Sequence, residues 1–429
     1  MHDPWLFNPQ HCPMYNHRML YSAPMTPAAF SLRQIALTAF GPSLLFGLGE
    51  GAILPVIPLT ARAMGASVPV TALLVGLIGI GSLLSNMPAS LITMRHGERW
   101  TIVAGAIWCA IAMALCGWSG HIGVFAIGTL MIGMSQAVFS LARQSYLTEV
   151  VPVEFRARAM STLGGSMRIG MFIGPFVAAA AIHFYGLAGA YGVGMVALLA
   201  SGALAARMPD LTAHATGEHR DVTSAKPKTA TILSTLRSNR HVFVTLGLGM
   251  LLVSAVRTTR QTVIPLWADH LALEASVISV IYGLASGVEM LLFYPAGKVM
   301  DQMGRRWVVV PSLVIMGAGL LSLPHTHNAQ TLLLVAMAIA FGNGIGSGMM
   351  MTLGADHSPR HGRAHFLGLW RLMADVGASC GPVLLSLLAA TLTLGAGIAA
   401  TGVMAFVAAG HLAYWIPRAQ ARTGEAERH

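Results

Sequence analysis

A chain of 429 residues that is 55% hydrophobic and only 10% charged, with 47 glycines, carries far too little charge for a water-soluble fold, where about a quarter of residues are charged. Its formal charge of +10 has to be read by position before it is read as a nucleic-acid signal. The four cysteines, at 12, 109, 116 and 380, show neither a CxxC pair nor an extracellular framework, so structural disulfides are not expected.

Residues 1–30 differ in composition from all that follows, and no apolar core there ends in a small-residue cleavage site. They are read as a cytoplasmic segment in which Met14, Met19 or Met25 could each be the start. A bilayer crossing needs about 20 apolar residues. On that measure twelve segments follow: 35–60, 69–93, 101–118, 122–145, 159–183, 187–206, 242–268, 275–297, 307–324, 330–353, 364–390 and 394–416. The long polar interval 207–241 separates six of them, within 31–206, from the other six, within 242–416, and 417–429 forms a tail. Of the 26 Lys and Arg, Arg143, Arg168, Arg257, Arg260 and Arg371 fall within segments and Arg62 follows the first. All the others lie in the termini or in loops after even-numbered segments, which places both termini and the central loop in the cytoplasm. The positive charge is therefore a topology signal, and the lipid bilayer, not nucleic acid, is the expected partner.

The two halves repeat one another at a constant spacing of 207 residues. Val56–Leu59 and Val263–Leu266 both read VIPL, Pro88 matches Pro295, Gly97 matches Gly304, and Arg99-Trp100 matches Arg306-Trp307. Further on, Pro152 matches Pro359, Arg156 matches Arg363, Gly170 matches Gly377, and Gly174-Pro175 matches Gly381-Pro382. Parallel six-helix repeats are related by an axis along the membrane normal, with a substrate site between them near mid-depth.

These residues resemble the major facilitator superfamily. GKVMDQMGRRW, Gly297 to Trp307, is similar to its cytoplasmic signature loop, with Asp301, Gly304, Arg305 and Arg306 in the signature positions. The first-half counterpart, Ser90 to Trp100, keeps Gly97 and Arg99 but has Met94 for the acid and Glu98 where the second half has Arg305. Gly170 to Pro175, GMFIGP, resembles the fifth-span motif of antiporters through Gly170, Gly174 and Pro175, although GASCGP, Gly377 to Pro382, repeats it. The fourth-span Arg of many proton-coupled members would fall at Thr129, so proton coupling by that Arg is not expected here. The resemblance implies an all-α membrane protein of twelve helices in two pseudo-symmetric bundles, with spans 3, 6, 9 and 12 outermost, and those four carry no Asp, Glu, Lys or Arg.

An ionised side chain at bilayer depth costs a few kcal/mol or more, about 3 on insertion scales, so each one suggests function or a buried partner. Glu50 and Arg257 are equivalent positions, with Arg260 one turn further along the same face. Either Glu50 is a protonatable coupling residue and the two Arg bind an anionic group or compete for it, or the three form a static ion pair. Arg168 and Asp375 are also equivalent and are expected to face each other or the cavity. Arg371 is expected to pair with Asp375 at i, i+4. Glu289 is a further proton-site candidate with Asp375, whereas Arg143, near a cytoplasmic end, is read as a snorkelling residue and not a site. Asp301, Arg305 and Arg306 have the makeup of a gate latch. Met349, Met350 and Met351 suit adaptable apolar lining better than a metal. No span carries a nucleophile–base cluster, so no catalysis and no cofactor are expected.

The resulting expectation is a monomeric multi-pass transporter of the plasma membrane, a bacterial inner membrane, that exports a small organic solute in exchange for protons. With Arg143 set aside as a snorkelling residue, four Arg against three acids within the spans allow an anionic or amphiphilic solute. Import of an organic acid or other metabolite by symport or uniport, and a transport-inactive membrane sensor, are the alternatives.

Overall fold

The computed structural model describes residues 36–151, 153–208, 232–359 and 363–426. All of 1–35, most of the central loop and the last three residues of the tail therefore lie outside the description. Among the described residues there are no strands, and eleven helices are long and apolar enough to cross a membrane. One of these, Val68–Trp118, has 51 residues, roughly twice what one crossing requires. It breaks at Gly97, where φ is 78° and ψ is 162°, so it supplies two spans and the total is twelve.

In chain order the spans are α1 (Phe40–Ala63), α2 and α3 (residues 68–96 and 98–118), α4 (Ile122–Val150), α5 (Ala159–Tyr185) and α6 (Leu187–Ala205). The second half continues with α7 (Arg240–His270), α8 (Ala275–Met300), α9 (Arg306–His325), α10 (Ala329–Asp356), α11 (His365–Thr391) and α12 (Leu394–Ala419). Gly304, equivalent to Gly97, has φ 91° and ψ 161°. A residue with a Cβ would be strained at either place, so the two loop glycines are there to turn the chain.

The repeat extends to atomic packing. A Cβ on Gly170 or Gly174 of α5 would collide with the carbonyl oxygens of Leu44 and Leu48 on α1, and one on Gly377 or Gly381 of α11 would collide with those of Leu251 and Ala255 on α7. Leu44 and Leu251, and Leu48 and Ala255, are again 207 residues apart. The GxxxG faces thus seat each helix backbone directly against its neighbour. Because both halves use the motif in the same way, it acts here as a packing device. The Ser135 hydroxyl donates to Gly105 O at 2.8 Å between α4 and α3, and Ser312 donates to Gly342 O at 2.6 Å between α9 and α10, which joins equivalent positions in the reverse direction.

Overpacking of this kind costs about 1–3 kcal/mol in a well-packed core. Gly170→Ala and Gly377→Ala are therefore expected to lower the melting temperature in detergent by similar amounts. Gly297→Ala, where an added Cβ meets nothing within 4 Å, is expected to leave it unchanged.

The halves meet through α2 against α11 and α5 against α8. At one end of the bundle Arg62 Nε lies 3.2 Å from Asp269 Oδ2, and these two residues, at the ends of α1 and α7, are also a repeat pair. Near them Ser386 Oγ donates to Pro69 O at 2.8 Å, and Leu59 and Ala72 of the first half join a buried cluster made mostly of second-half residues. The cluster at the opposite end, around Phe243, Phe366 and Trp370, is built from second-half residues alone. The tight seam between halves therefore belongs to the Arg62–Asp269 end.

Candidate functional site

Most of the charged residues within the spans gather in two groups. The first is on α1 and α4. Glu50 is 2% exposed, and its Oε1 has no hydrogen-bond partner. The Gln136 side chain hydrogen-bonds the carboxyl, and Arg143 is the cation acting on it. Arg143 lies over the Phe139 ring, 5.9 Å from its centroid, and Phe139 stacks on Phe46, one turn before Glu50. Its Nε and Nη1 are buried without acceptors.

The second group joins α7, α8, α10 and α5. Arg260 Nη1 and Glu289 Oε1 are 2.6 Å apart, with side chains 5% and 14% exposed. Asn343 Nδ2 donates to Glu289 Oε2 at 2.8 Å. Arg257 Nη2 donates to Asn343 O at 3.2 Å. That carbonyl is available because α10 breaks beside it: Ser347 N bonds to Gly344 O, and Gly348 adopts φ 88° before the helix resumes at Met349. Broken helices whose freed carbonyls line a polar site are tolerated at membrane depth only inside protein. From the first half, Arg168 donates to Ser347 Oγ and lies 4.6 Å above the Phe293 ring. Glu289 is the acid acting on both Arg168 and Arg257. Tyr282, 4% exposed on α8, stands within the field of Arg260, Glu289 and Glu50 and so lies between the groups.

Asp375 sits apart from both. Asn86 Nδ2 on α2 donates to its Oδ2 at 2.7 Å, and Arg371 Nε is 4.0 Å away on the same helix. A cavity of about 190 Å³ opens beside it between the halves, lined among others by Leu54, Ser82, Gln136, Thr258, Gln261 and Asp375.

A family model described as Major Facilitator Superfamily matches residues 40–293 and 246–429. The chain belongs to the Major Facilitator Superfamily. An uncharacterised transporter of that superfamily from Methanocaldococcus jannaschii is 22% identical over 344 residues, covering 80% of this chain and 88% of the relative. Multidrug resistance protein 2 of Bacillus subtilis is 24% identical over 277 residues, 62% of this chain and 67% of its own. Among solved structures, the human organic anion transporter MFSD10 superposes with a TM-score of 0.63 at 14% identity, over 89% of this chain and 99% of that one. The protein is thus a multi-pass membrane transporter of the superfamily, which carries small molecules across a membrane.

Several sequence expectations for this superfamily member are corrected. Glu50 meets Gln136 and Arg143, not Arg257, because α4 and not α7 packs on that face of α1. Arg143 therefore belongs to the Glu50 group instead of snorkelling away from it. Arg168 and Asp375 do not face each other: equivalent positions on α5 and α11 lie at different seams, one toward α8 and the other toward α2. The local Arg371–Asp375 pair is present but long.

In the signature loop Arg305 Nε pairs with Asp356 Oδ2 at 2.9 Å, at the end of α10, and its Nη1 caps Met300 O at 3.1 Å. The side chain of Asp301 lies outside the described residues, Arg306 is exposed, and Arg99 lies 5.2 Å over the Trp100 ring. Glu98, equivalent to Arg305, accepts from Ser145 Oγ at 2.9 Å on α4, so both loops are tied to the fourth helix of their own half. His411 Nε2 donates to Thr245 O at 2.7 Å, which ties α12 to α7. Gln136 and Asn343, which sequence reasoning passed over, are repeat equivalents that each hold a carboxylate. The repeat contained that signal, but only charges were followed through it.

Proposed function

We propose that the protein is a proton-coupled exporter of a small organic solute working by alternating access, with Glu50 as the residue that takes up and releases the proton. The observation that carries this reading is the Glu50 group: a lone acid at mid-depth in α1, buried, with one oxygen free, held by Gln136 at the wall of the cavity between the halves. A carboxyl so placed is expensive to keep charged, and Arg143 beside it offers the opposite pull, so its proton occupancy can follow the conformation. Export is supported by the resemblance to a multidrug resistance protein of Bacillus subtilis. The cationic loops support a plasma-membrane protein, here a bacterial inner membrane, with both termini cytoplasmic. On that orientation the Arg62–Asp269 end faces outward, and the conformer is closed on that side.

Asp301, Arg305 and Arg306 form the cytoplasmic latch in this reading, and Glu289 and Asp375 are kept as secondary proton sites. The test is flux in proteoliposomes under an imposed pH gradient, with a panel of organic acids and amphiphilic cations. Solute movement against the proton flow is expected. Movement with the proton would make it a symporter, and saturable binding without flux would make it a sensor.

A further inference from the structure

We propose that Arg168, Arg257 and Arg260 form a receptor for a compact doubly charged oxyanion, a phosphate monoester or short dicarboxylate, and that the Glu289 carboxylate occupies that receptor while it is empty. This rests on the transporter reading and names the class of solute that it carries.

Three guanidiniums from two helices of different halves share a single carboxylate. The group therefore holds an excess of two positive charges at a depth where each uncompensated one is expensive. Its geometry is also incomplete. The Nε atoms of Arg257 and Arg260 are buried with no acceptor, although Nε and Nη2 together form the fork that grips an oxyanion side by side. Arg260 is 4% exposed, so bulk solvent does not reach it. Arg168 is fixed from below by the Phe293 ring and at its tip by Ser347, which leaves the remaining edge of its guanidinium for a ligand. Glu289 shows how such a ligand would be held, since one oxygen takes Arg260 at 2.6 Å and the other takes the Asn343 amide.

A dianion restores neutrality, and a monoanion does not. An incoming dianion can also take Arg260 from Glu289, because it offers more charge to the same donors. Arg168 comes from the first half and the other two Arg from the second, so a bound dianion ties the halves together at mid-depth. That is the place from which a solute can bias an alternating-access equilibrium.

The test uses phenyl phosphate and its methyl ester, which differ by one charge, with succinate and succinamate as the carboxylate counterparts. At pH 8 the monoester is a dianion, its second ionisation being near pH 6. Purified protein in detergent is titrated at constant ionic strength, with binding read from thermal stabilisation and tryptophan fluorescence. Phenyl phosphate or succinate is expected to bind about 10-fold or more tightly than its singly charged counterpart, one lost charge-assisted contact being of that order. The pair that shows the difference identifies phosphate or carboxylate as the recognised group.

Arg257→Gln is expected to bring the two members of the pair within about threefold, by the same loss. Glu289→Gln, which removes the resident competitor, is expected to tighten the dianion by about 5- to 10-fold. Should that variant not fold, Glu289→Asp shortens the same competitor and is expected to shift affinity in the same direction. Equal binding of both pair members, or a preference that survives Arg257→Gln, would overturn the assignment. Binding in detergent involves no gradient, so this result stands or falls separately from proton coupling by Glu50.

Discussion

Replacing Glu50 by Gln is expected to abolish accumulation driven by a pH gradient while leaving binding and solute exchange in place. Gln has the shape of the protonated carboxyl and can keep the Gln136 contact, so the helix packing of α1 on α4 is preserved. What it cannot do is release a proton. With one proton exchanged per solute, each pH unit across the membrane supplies about 1.4 kcal/mol, which corresponds to roughly a 10-fold ratio that the gradient can sustain. That whole factor is expected to disappear. Measured in proteoliposomes, counterflow of labelled solute at equal pH should stay within about twofold of the parent, whereas uptake under a pH gradient should fall to the level set by exchange alone.

The parent should also change its exchange rate with pH, because in the proposed mechanism Glu50 alternates between a neutral form and a carboxylate facing Arg143, and the variant should not. Arg143→Gln offers the complementary check. It leaves Glu50 without its cation, so the carboxylate is penalised in every conformer and proton release, not proton uptake, becomes the hindered step. Gradient-driven accumulation that survives Glu50→Gln would remove Glu50 from the mechanism.

The division of labour between the groups explains why some of the site was legible in the sequence and some was not. The twelve spans were readable because apolar length alone defines them, and the one place among the described residues where the helices depart from twelve separate units, the continuous Val68–Trp118, is resolved by a glycine the repeat had already matched to Gly304. The intramembrane charges were readable because each is scarce and costly. Their partners were not. Equivalence under a 207-residue repeat gives equal depth and equal position within a half, but the axis carries α5 and α11 to different seams, so Arg168 and Asp375 share a register and not a neighbour.

Pairing Glu50 with Arg257 made the same substitution of symmetry for contact. Contact is settled by which helix packs on which face, and α4 covers Glu50 while α8 and α10 cover Arg257. Neutral amides escaped notice for a different reason. Gln and Asn are common enough in a membrane chain to pass as background, and only the repeat singles out Gln136 and Asn343.

The second large effect concerns stability, and it takes an uneven form. Breaking a buried ion pair by removing one partner costs about 3–5 kcal/mol, because the other charge is left uncompensated. If Arg260 and Glu289 were a simple pair, Arg260→Met and Glu289→Gln would therefore lose similar amounts. The pair is instead embedded in a group with two more guanidiniums. Removing Arg260 leaves Glu289 with Arg168, Arg257 and the Asn343 amide, so the carboxylate keeps opposite charges and a donor. Removing the Glu289 charge leaves three Arg with no opposite charge among them.

Glu289→Gln is accordingly expected to approach the full penalty and Arg260→Met to stay at about 1–2 kcal/mol, below that range because compensation survives. The double variant Arg260→Met with Glu289→Gln returns the excess to two and is expected to lie between them, recovering part of what Glu289→Gln alone loses. Reversible melting in detergent at low ionic strength measures all three. The ordering discriminates between a structural ion pair and a cationic receptor that happens to be closed by one of its own residues. Equal losses in the two single variants, with full recovery in the double, would return Arg260 and Glu289 to the role of packing partners.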